Sequence, residues 1–247
     1  PTILLSLNSN WEGFPWLIEL ARERHWRLLD MRYRYGDLPD GFAPAGALMA
    51  QLPDHELVKR LRKMGCPVIR VGARPHPDDA LMPAVMPDLR AAGRMAGEHL
   101  AGRGFKHFGY IGHHQPLVHV QLAQYEGLEA AAAELGCDCH LLELAPTGIR
   151  GETPEKYRRR REVIGAWLKN VPRPLGLFCF VDGFAATVCA MCQDLGIAVP
   201  EEVAVLGYGD SPSASIGSRP TLSSIVPDHN RLAEVAVGML ETLMAGE

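Results

Sequence analysis

The chain has 247 residues, 47% of them apolar and 22% charged, with a formal net charge of −4. This is the balance of a globular protein long enough for one large domain or two small ones, and it provides no global positive field to hold nucleic acid. The six cysteines lack the dense, even spacing of a secreted disulfide scaffold, so reduced thiols in a cytoplasm are expected. The opening Pro1-Thr2-Ile3-Leu4-Leu5-Ser6-Leu7 has no basic segment, and its apolar run is too short for a signal peptide or a membrane span. Without a starting Met it reads as a piece cut from a longer polypeptide.

Strand-like runs alternate with helix-period segments along the chain, which predicts a parallel α/β sheet. Strands are expected at Ile3 to Leu7, Trp26 to Met31, Gly46 to Met49, Val68 to Val71, Ala84 to Met86 and His107 to Gly112. Helices are expected at Trp16 to Arg24, at Asp54 to Lys63 with Gly65 as its cap, and from Asp88 through Leu100. After Gly112 the pattern restarts. Helices at Val118 to Leu135, Glu155 to Leu168 and Phe184 to Leu195 alternate with strands at Cys139 to Leu144, Leu175 to Phe180 and Val203 to Tyr208. A Pro/Ser/Gly-rich loop over Ser211 to Pro220, a strand at Leu222 to Val226 and a helix from Asp228 to Met244 complete the chain. The architecture expected is two doubly wound lobes, residues 1–112 with 223–247 and residues 113–222, the last helix returning to the first lobe.

Two segments place chemistry on this frame. Phe178-Cys179-Phe180-Val181-Asp182-Gly183 and Val203-Ala204-Val205-Leu206-Gly207-Tyr208-Gly209-Asp210 are apolar runs ending in an acid beside a glycine. Such runs suit strands covered on both faces, and the acids then fall past the carboxyl ends, where open α/β sheets hold ligands. Asp182 is therefore a ligand candidate that can also cap its helix, and Asp210 either faces a cleft or shapes its loop. Asn8, Ser9 and Trp11 follow the first strand; they offer amide, hydroxyl and aromatic groups of the kind sugars need, or else form an Asx-type turn. Trp16 is a second aromatic that can stack on a ring or pack in the core. Asp88 either bonds ligand hydroxyls or caps its helix. His113, His114 and Gln115 either line a cleft floor or lie exposed in a loop, and Arg74 either contacts a ligand or is solvated.

Pro67-Val68-Ile69-Arg70-Val71-Gly72, Val85-x-x-Asp88, Gly93, His99-Leu100, Gly104 and His107-Phe108-Gly109-Tyr110-Ile111-Gly112 resemble the effector-binding domain of the lactose-repressor (LacI/GalR) family. Tyr125-Glu126-Gly127-Leu128, Asp182-Gly183-Phe184-Ala185, Leu195-Gly196-Ile197-x-Val199-Pro200-Glu201-Glu202 through Tyr208, and Pro220-Thr221-Leu222-Ser223-Ser224-Ile225 continue that family's order. In detail the chain is most similar to the xylose operon regulators, which join this sensor to an AraC-type DNA-binding module; Gly72 fits that subgroup. The resemblance implies a type I periplasmic-binding-protein fold, with a small molecule, expected to be a sugar, held between two lobes joined by crossover strands. It also implies a homodimer, and contact with operator DNA only through a module outside this chain. Gln124 stands where the family's arginine grips sugar hydroxyls, and an amide there can still donate and accept. Gly207-Tyr208-Gly209-Asp210 lacks the first acid of the family's turn.

Other signals are weaker. Cys137-x-Cys139 and Cys189-x-x-Cys192 lack the knuckles of a four-thiolate zinc site and read as core residues, so no metal is expected. Arg158-Arg159-Arg160-Arg161 lies within a helix, where successive residues point all round the axis and cannot form one phosphate-binding stripe. There is no G-x-S-x-G elbow, P-loop, dinucleotide fingerprint or H-E-x-x-H, so neither an enzyme nor a cofactor is expected. The runner-up function is a solute-binding protein for transport or chemoreception on the same fold.

Overall fold

Gly46–Met49, Val68–Val71 and Leu175–Cys179 are buried at every position, as a strand must be when helices cover both of its faces. They belong to two five-stranded parallel sheets in a computed structural model that describes residues 1–7, 13–31, 38, 41–49, 55–72, 82–113, 118–144 and 153–246. The chain divides into two compact units, Pro1–Pro87 with Asp228–Glu247, and Asp88–Pro227.

The first unit contains β1 (Thr2–Ser6), α1 (Phe14–Glu23), β2 (Arg27–Asp30), β3 (Gly46–Met49), α2 (His55–Lys63), β4 (Val68–Val71) and β5 (Ala84–Val85), together with the final helix of the chain, His229–Ala245. Its strand order is β2-β1-β3-β4-β5. Alternation along the strands sorts the core into two layers. Ile3, Leu5, Leu48, Ile69 and Val71 pack with Leu17 and Leu20 of α1 and with Ala233, Ala236, Val237 and Leu240 of the last helix. Leu4, Ala47, Met49 and Val68 pack with Leu57, Val58 and Leu61 of α2 on the other face. Gly65 takes φ +69 just after α2, the left-handed conformation that ends helices without a Cβ penalty.

The second unit runs α3 (Leu89–Gly102), β6 (His107–His113), α4 (Val118–Leu135), β7 (Asp138–Leu144), α5 (Pro154–Asn170), β8 (Leu175–Cys179), α6 (Asp182–Asp194), β9 (Val203–Tyr208), α7 (Pro212–Gly217) and β10 (Ser223–Ile225). The final helix is therefore α8 (His229–Ala245). The strand order is β10-β9-β8-β6-β7. Phe108, Tyr110, Phe178, Leu206 and Ile225 face α3 and α4. Ile111, Leu175, Leu177, Cys179, Val203 and Val205 face α5 and α6.

The lobe boundaries read from the sequence require correction. The hydrogen-bond ladders place β6 between β7 and β8, and β10 beside β9, so residues 88–112 and 223–227 belong to the second unit. A restart of the β-α pattern does not say which sheet a strand joins; only long-range pairing does. The chain passes between units at Pro87-Asp88 and Pro227-Asp228. In both places the aspartate caps the helix that follows: Asp88 accepts from the N–H of Ala91 and Asp228 from that of Arg231, each at 2.9 Å. The segment expected to be a loop over Ser211 to Pro220 holds α7, begun by Pro212 in its first turn, where the missing N–H costs nothing.

Glycine sets how closely α3 and α4 can pack. A Cβ built on Gly93 would lie 1.9 Å from the carbonyl oxygen of Gln124, and one on Gly127 would lie 2.0 Å from that of Arg90. Backbone meets backbone at this crossing, so no side chain can rotate away to make room. Arg94 forks onto Glu134 at 2.6 and 2.8 Å beside it, but an exposed pair of this kind adds little. Gly127→Val is expected to lower the urea midpoint by an amount equivalent to about 3 kcal/mol or more, the upper end for overpacking. Glu134→Gln is expected to shift it by less than about 1 kcal/mol.

Candidate functional site

Both sheets carry the same order. Counted along the chain within each unit it is 2-1-3-4-5, the doubly wound pattern in which connections depart to opposite sides of the first and third strands. The crevice outside the carboxyl ends of those two strands is where such sheets hold ligands. In the first unit these ends are Ser6 of β1 and Met49 of β3. In the second they are His113 of β6 and Cys179 of β8.

Asp182 organises the second of these ends. Val181 is the extended N-cap residue of α6, and Asp182, 0% exposed, is the first residue of the helix. Its Oδ1 accepts from the Ser224 hydroxyl of β10, and its Oδ2 accepts from the backbone N–H of Ser211, both at 2.7 Å. The Ser224 Oγ in turn accepts from the N–H of Asp210 at 3.1 Å. One carboxylate thus ties the start of α6, the turn after β9 and the adjoining strand β10 through charge-assisted hydrogen bonds. Position 207 must be glycine, because a Cβ there would lie 2.0 Å from Asp182 Oδ1. The following turn takes Gly209 to φ +117 and Asp210 to φ +58, a left-handed conformation that aspartate tolerates better than most residues. Asp210 leaves this turn with an exposed side chain.

The other candidates fall in different places. Asp88 is exposed and spends one oxygen on its helix cap. Gln124, 0% exposed, points from α4 to the sheet, where its Oε1 accepts from the Tyr110 hydroxyl at 2.9 Å. The Tyr110 ring packs on Phe178 and Tyr125 with centroids 5.8 and 5.9 Å away, and burial holds its phenol well above the usual range. Trp16 is exposed on α1. His113 ends β6, and its side chain lies outside the described residues, as do Asn8, Ser9, Trp11, Arg74, His114 and Gln115.

Two features escaped sequence reasoning. Tyr208 ends β9 with its hydroxyl buried and without a hydrogen-bond partner among the described residues, and desolvation raises its pKa to about 12. In the sequence it stands only as the end of an apolar run and part of the turn that follows. Arg70 lies 1% exposed within β4, a guanidinium among the apolar Val68, Ile69 and Val71; its charge type alone would have placed it at the surface.

A groove of about 520 Å³ lies elsewhere, at the amino ends of β8, β9 and β10, lined by Arg103, Phe105, Pro174, Pro200 and Leu222 among others. It is at the opposite end of the sheet from Asp182. The cysteine pairs are also separated, Cys137 and Cys139 against the layer under α3 and α4, Cys189 and Cys192 in the layer under α5 and α6. Arg158 pairs with Glu155 and Arg161 with Asp194, while the Arg160 guanidinium lies 5.6 Å from the Tyr157 ring centre.

Comparison with known proteins agrees with this geometry. Residues 97–247, more than half of the chain, match the model of the periplasmic binding protein-like domain. The chain belongs to that family. It is 25% identical over 190 residues to the HTH-type transcriptional regulator GntR of Escherichia coli K12, covering 77% of this chain and 54% of the relative. It is 22% identical over 238 residues to the xylose operon regulatory protein of the same organism, covering 92% and 58%. The chain therefore spans little more than half the length of these curated relatives, which are transcription regulators. Among solved structures, a periplasmic binding protein/LacI transcriptional regulator from Alkaliphilus metalliredigens, complexed with D-xylulofuranose, aligns at a TM-score of 0.69. That alignment is 19% identical and covers 100% of this chain and 91% of the other. The resemblance to LacI-type sensor domains and the fold it implies are both borne out. No described helix is long and apolar enough to cross a membrane.

Asp182→Ala is expected to destabilise the chain by about 3 kcal/mol in chemical denaturation, because it strands the Ser224 hydroxyl and the Ser211 N–H. Ser224→Ala, which removes one donor to Asp182 and the acceptor of the Asp210 N–H, is expected to cost about 1–2 kcal/mol. Burial raises the thiol pKa of Cys189 and Cys192 to about 11, and it holds that of Cys179 well above the usual thiol range. The thiolate is the reactive form, so at pH 8 these three are expected to resist a disulfide reagent in the folded chain, with Cys137 labelling first. All six should react in denaturant, and fast labelling of Cys179 in the native state would contradict this packing.

Proposed function

We propose that this chain is the effector-binding part of a bacterial transcription regulator and that its effector is a sugar. The observation that carries the reading is the pair of identically ordered sheets, each presenting a switch point at its carboxyl ends. Membership of the periplasmic binding protein-like family and the sugar named with one structural relative support it.

In this reading the effector is held by polar groups at the carboxyl ends of the strands. Asn8, Ser9, Trp11 and Arg74 contact it from the first lobe, and Asp88, His113, Gln115 and Asp210 from the second. Hydroxyl-matched donors and acceptors fix a sugar's orientation, and an aromatic face covers its C–H surface. Asp182 and Gln124 complete the set, Asp182 by shaping the turn that presents Asp210 and Gln124 by anchoring Tyr110. Differential affinity of the effector for two states of a homodimer shifts the population able to bind its operator. Operator contact is made by a module outside this chain, the regulator acts in the cytoplasm, and the effector is bound rather than turned over.

A thermal-shift screen with pentoses, hexoses and sugar phosphates tests the proposal. One sugar class is expected to raise the melting temperature, by an amount equivalent to about 2.7 kcal/mol at a hundredfold excess over Kd. Asp210→Ala is expected to cancel that shift while leaving the unliganded melting temperature within a degree or so, since exposed substitutions seldom cost more than about 0.5 kcal/mol; Arg74→Ala is expected to cancel the shift as well. No shift with any of these compounds would reject a sugar effector.

A further inference from the structure

β7 is an edge strand, and its ladder with β6 sets His107 opposite Asp138 and Gly109 opposite His140. Alternate residues of a strand share a face, so His107, Asp138 and His140 lie on the same side of the ladder. That side is the one covered by α5, since a Cβ built on Gly109 would meet the Trp167 ring at 2.9 Å. One donor atom from each of the three side chains lies within 4.8 Å of the other two. The His107 Nδ1 is 3.1 Å from an Asp138 carboxylate oxygen, and the two imidazole rings are 5.9 Å apart. Neither His107 Nδ1 nor His140 Nε2 is reached by solvent, and neither makes a hydrogen bond of acceptable alignment among the described residues. Two shielded ring nitrogens without hydrogen bonds, in a cluster that also holds a carboxylate, form an arrangement in want of a shared partner.

We propose that His107, Asp138 and His140 form a binding site for a divalent transition metal of the zinc class. Two imidazoles and a carboxylate are ligands that such ions accept, whereas magnesium and calcium take oxygen donors almost alone. Bond lengths of about 2.0–2.2 Å require the donors to draw together slightly. Rotation of the Asp138 side chain, 69% exposed, together with rotation of the two imidazoles supplies that movement. Water fills the remaining position on the open side. The bound ion pins the edge strand to its neighbour at the amino end of the sheet, away from the Asp182 node and independent of any effector. The competing account is a cross-strand histidine–aspartate pair with no affinity for metal.

The test is calorimetric titration of the metal-stripped chain with Zn²⁺, followed by Co²⁺ titration monitored by visible absorption. The expected result is one Zn²⁺ per chain and a Co²⁺ ligand-field band displaced by Zn²⁺. His107→Gln and His140→Gln should each weaken binding by at least the roughly 10–100-fold that loss of an outer-shell partner costs. Asp138→Asn should weaken it as well, and His99→Gln on α3 should leave it unchanged. Because a variant could misfold, the unsubstituted chain is also followed by NMR, where the imidazole signals of His107 and His140 should move in step with Zn²⁺ added. Absence of binding, binding unaltered in the folded His107→Gln/His140→Gln double variant, or movement of other imidazole signals instead would each overturn the proposal.

Discussion

The Asp182 carboxylate is a charge placed where water cannot reach it, and isolation of that kind costs several kcal/mol unless the protein supplies donors. Here the donors come from two segments distant in sequence, the N–H of Ser211 and the hydroxyl of Ser224. The dependence is mutual: the acid needs the folded turn to satisfy it, and the turn needs the acid to fix its course. Glycine at 207 gives the carboxylate room, and the left-handed backbone at 209 and 210 carries the chain back over it. The position and aim of Asp210 follow from this knot.

A second constraint is steric. Parallel strands need helices on both faces, and α3 and α4 cover one face of the second sheet only because their backbones touch at Gly93 and Gly127. Larger residues would push the pair apart and thin the cover over Tyr110 and Phe178. Both glycines occur in the segments that carry the family resemblance, and the crossing gives them a physical reason. Glu202 is another such case, accepting the N–H of Ala198 at 2.9 Å within the turn from α6 to β9. That hydrogen bond, with Arg173 beside it, holds the carboxyl below its usual range.

These constraints gather polar side chains at the strand ends and leave the strand bodies to packing. The carboxyl ends carry Asp182 and Asp210. The amino ends carry a shallow groove and, at the β6–β7 edge, the histidine–aspartate cluster. Separation by the length of a strand means that events at one end need not disturb the chemistry at the other.

Periodicity in the sequence was enough to locate nearly every strand and helix, because a run such as Leu175–Cys179 can be buried on both faces only in a covered parallel sheet. It also identified Asp182 and Asp210 as residues past strand ends, and several motifs in register were enough to identify the family. Membership of a sheet was not legible: β6 and β10 were assigned to the wrong lobe because hydrogen-bond partners lie far along the chain. Nor was the task of each polar side chain, since the same aspartate can grip a ligand, cap a helix or knot a turn. For Asp182 folding brings Ser211 and Ser224 within hydrogen-bond reach, and that knot could not be read from its place after a strand. Nothing local in the sequence joins His107 to His140, because pairing of β6 with β7 sets them on one face beside Asp138.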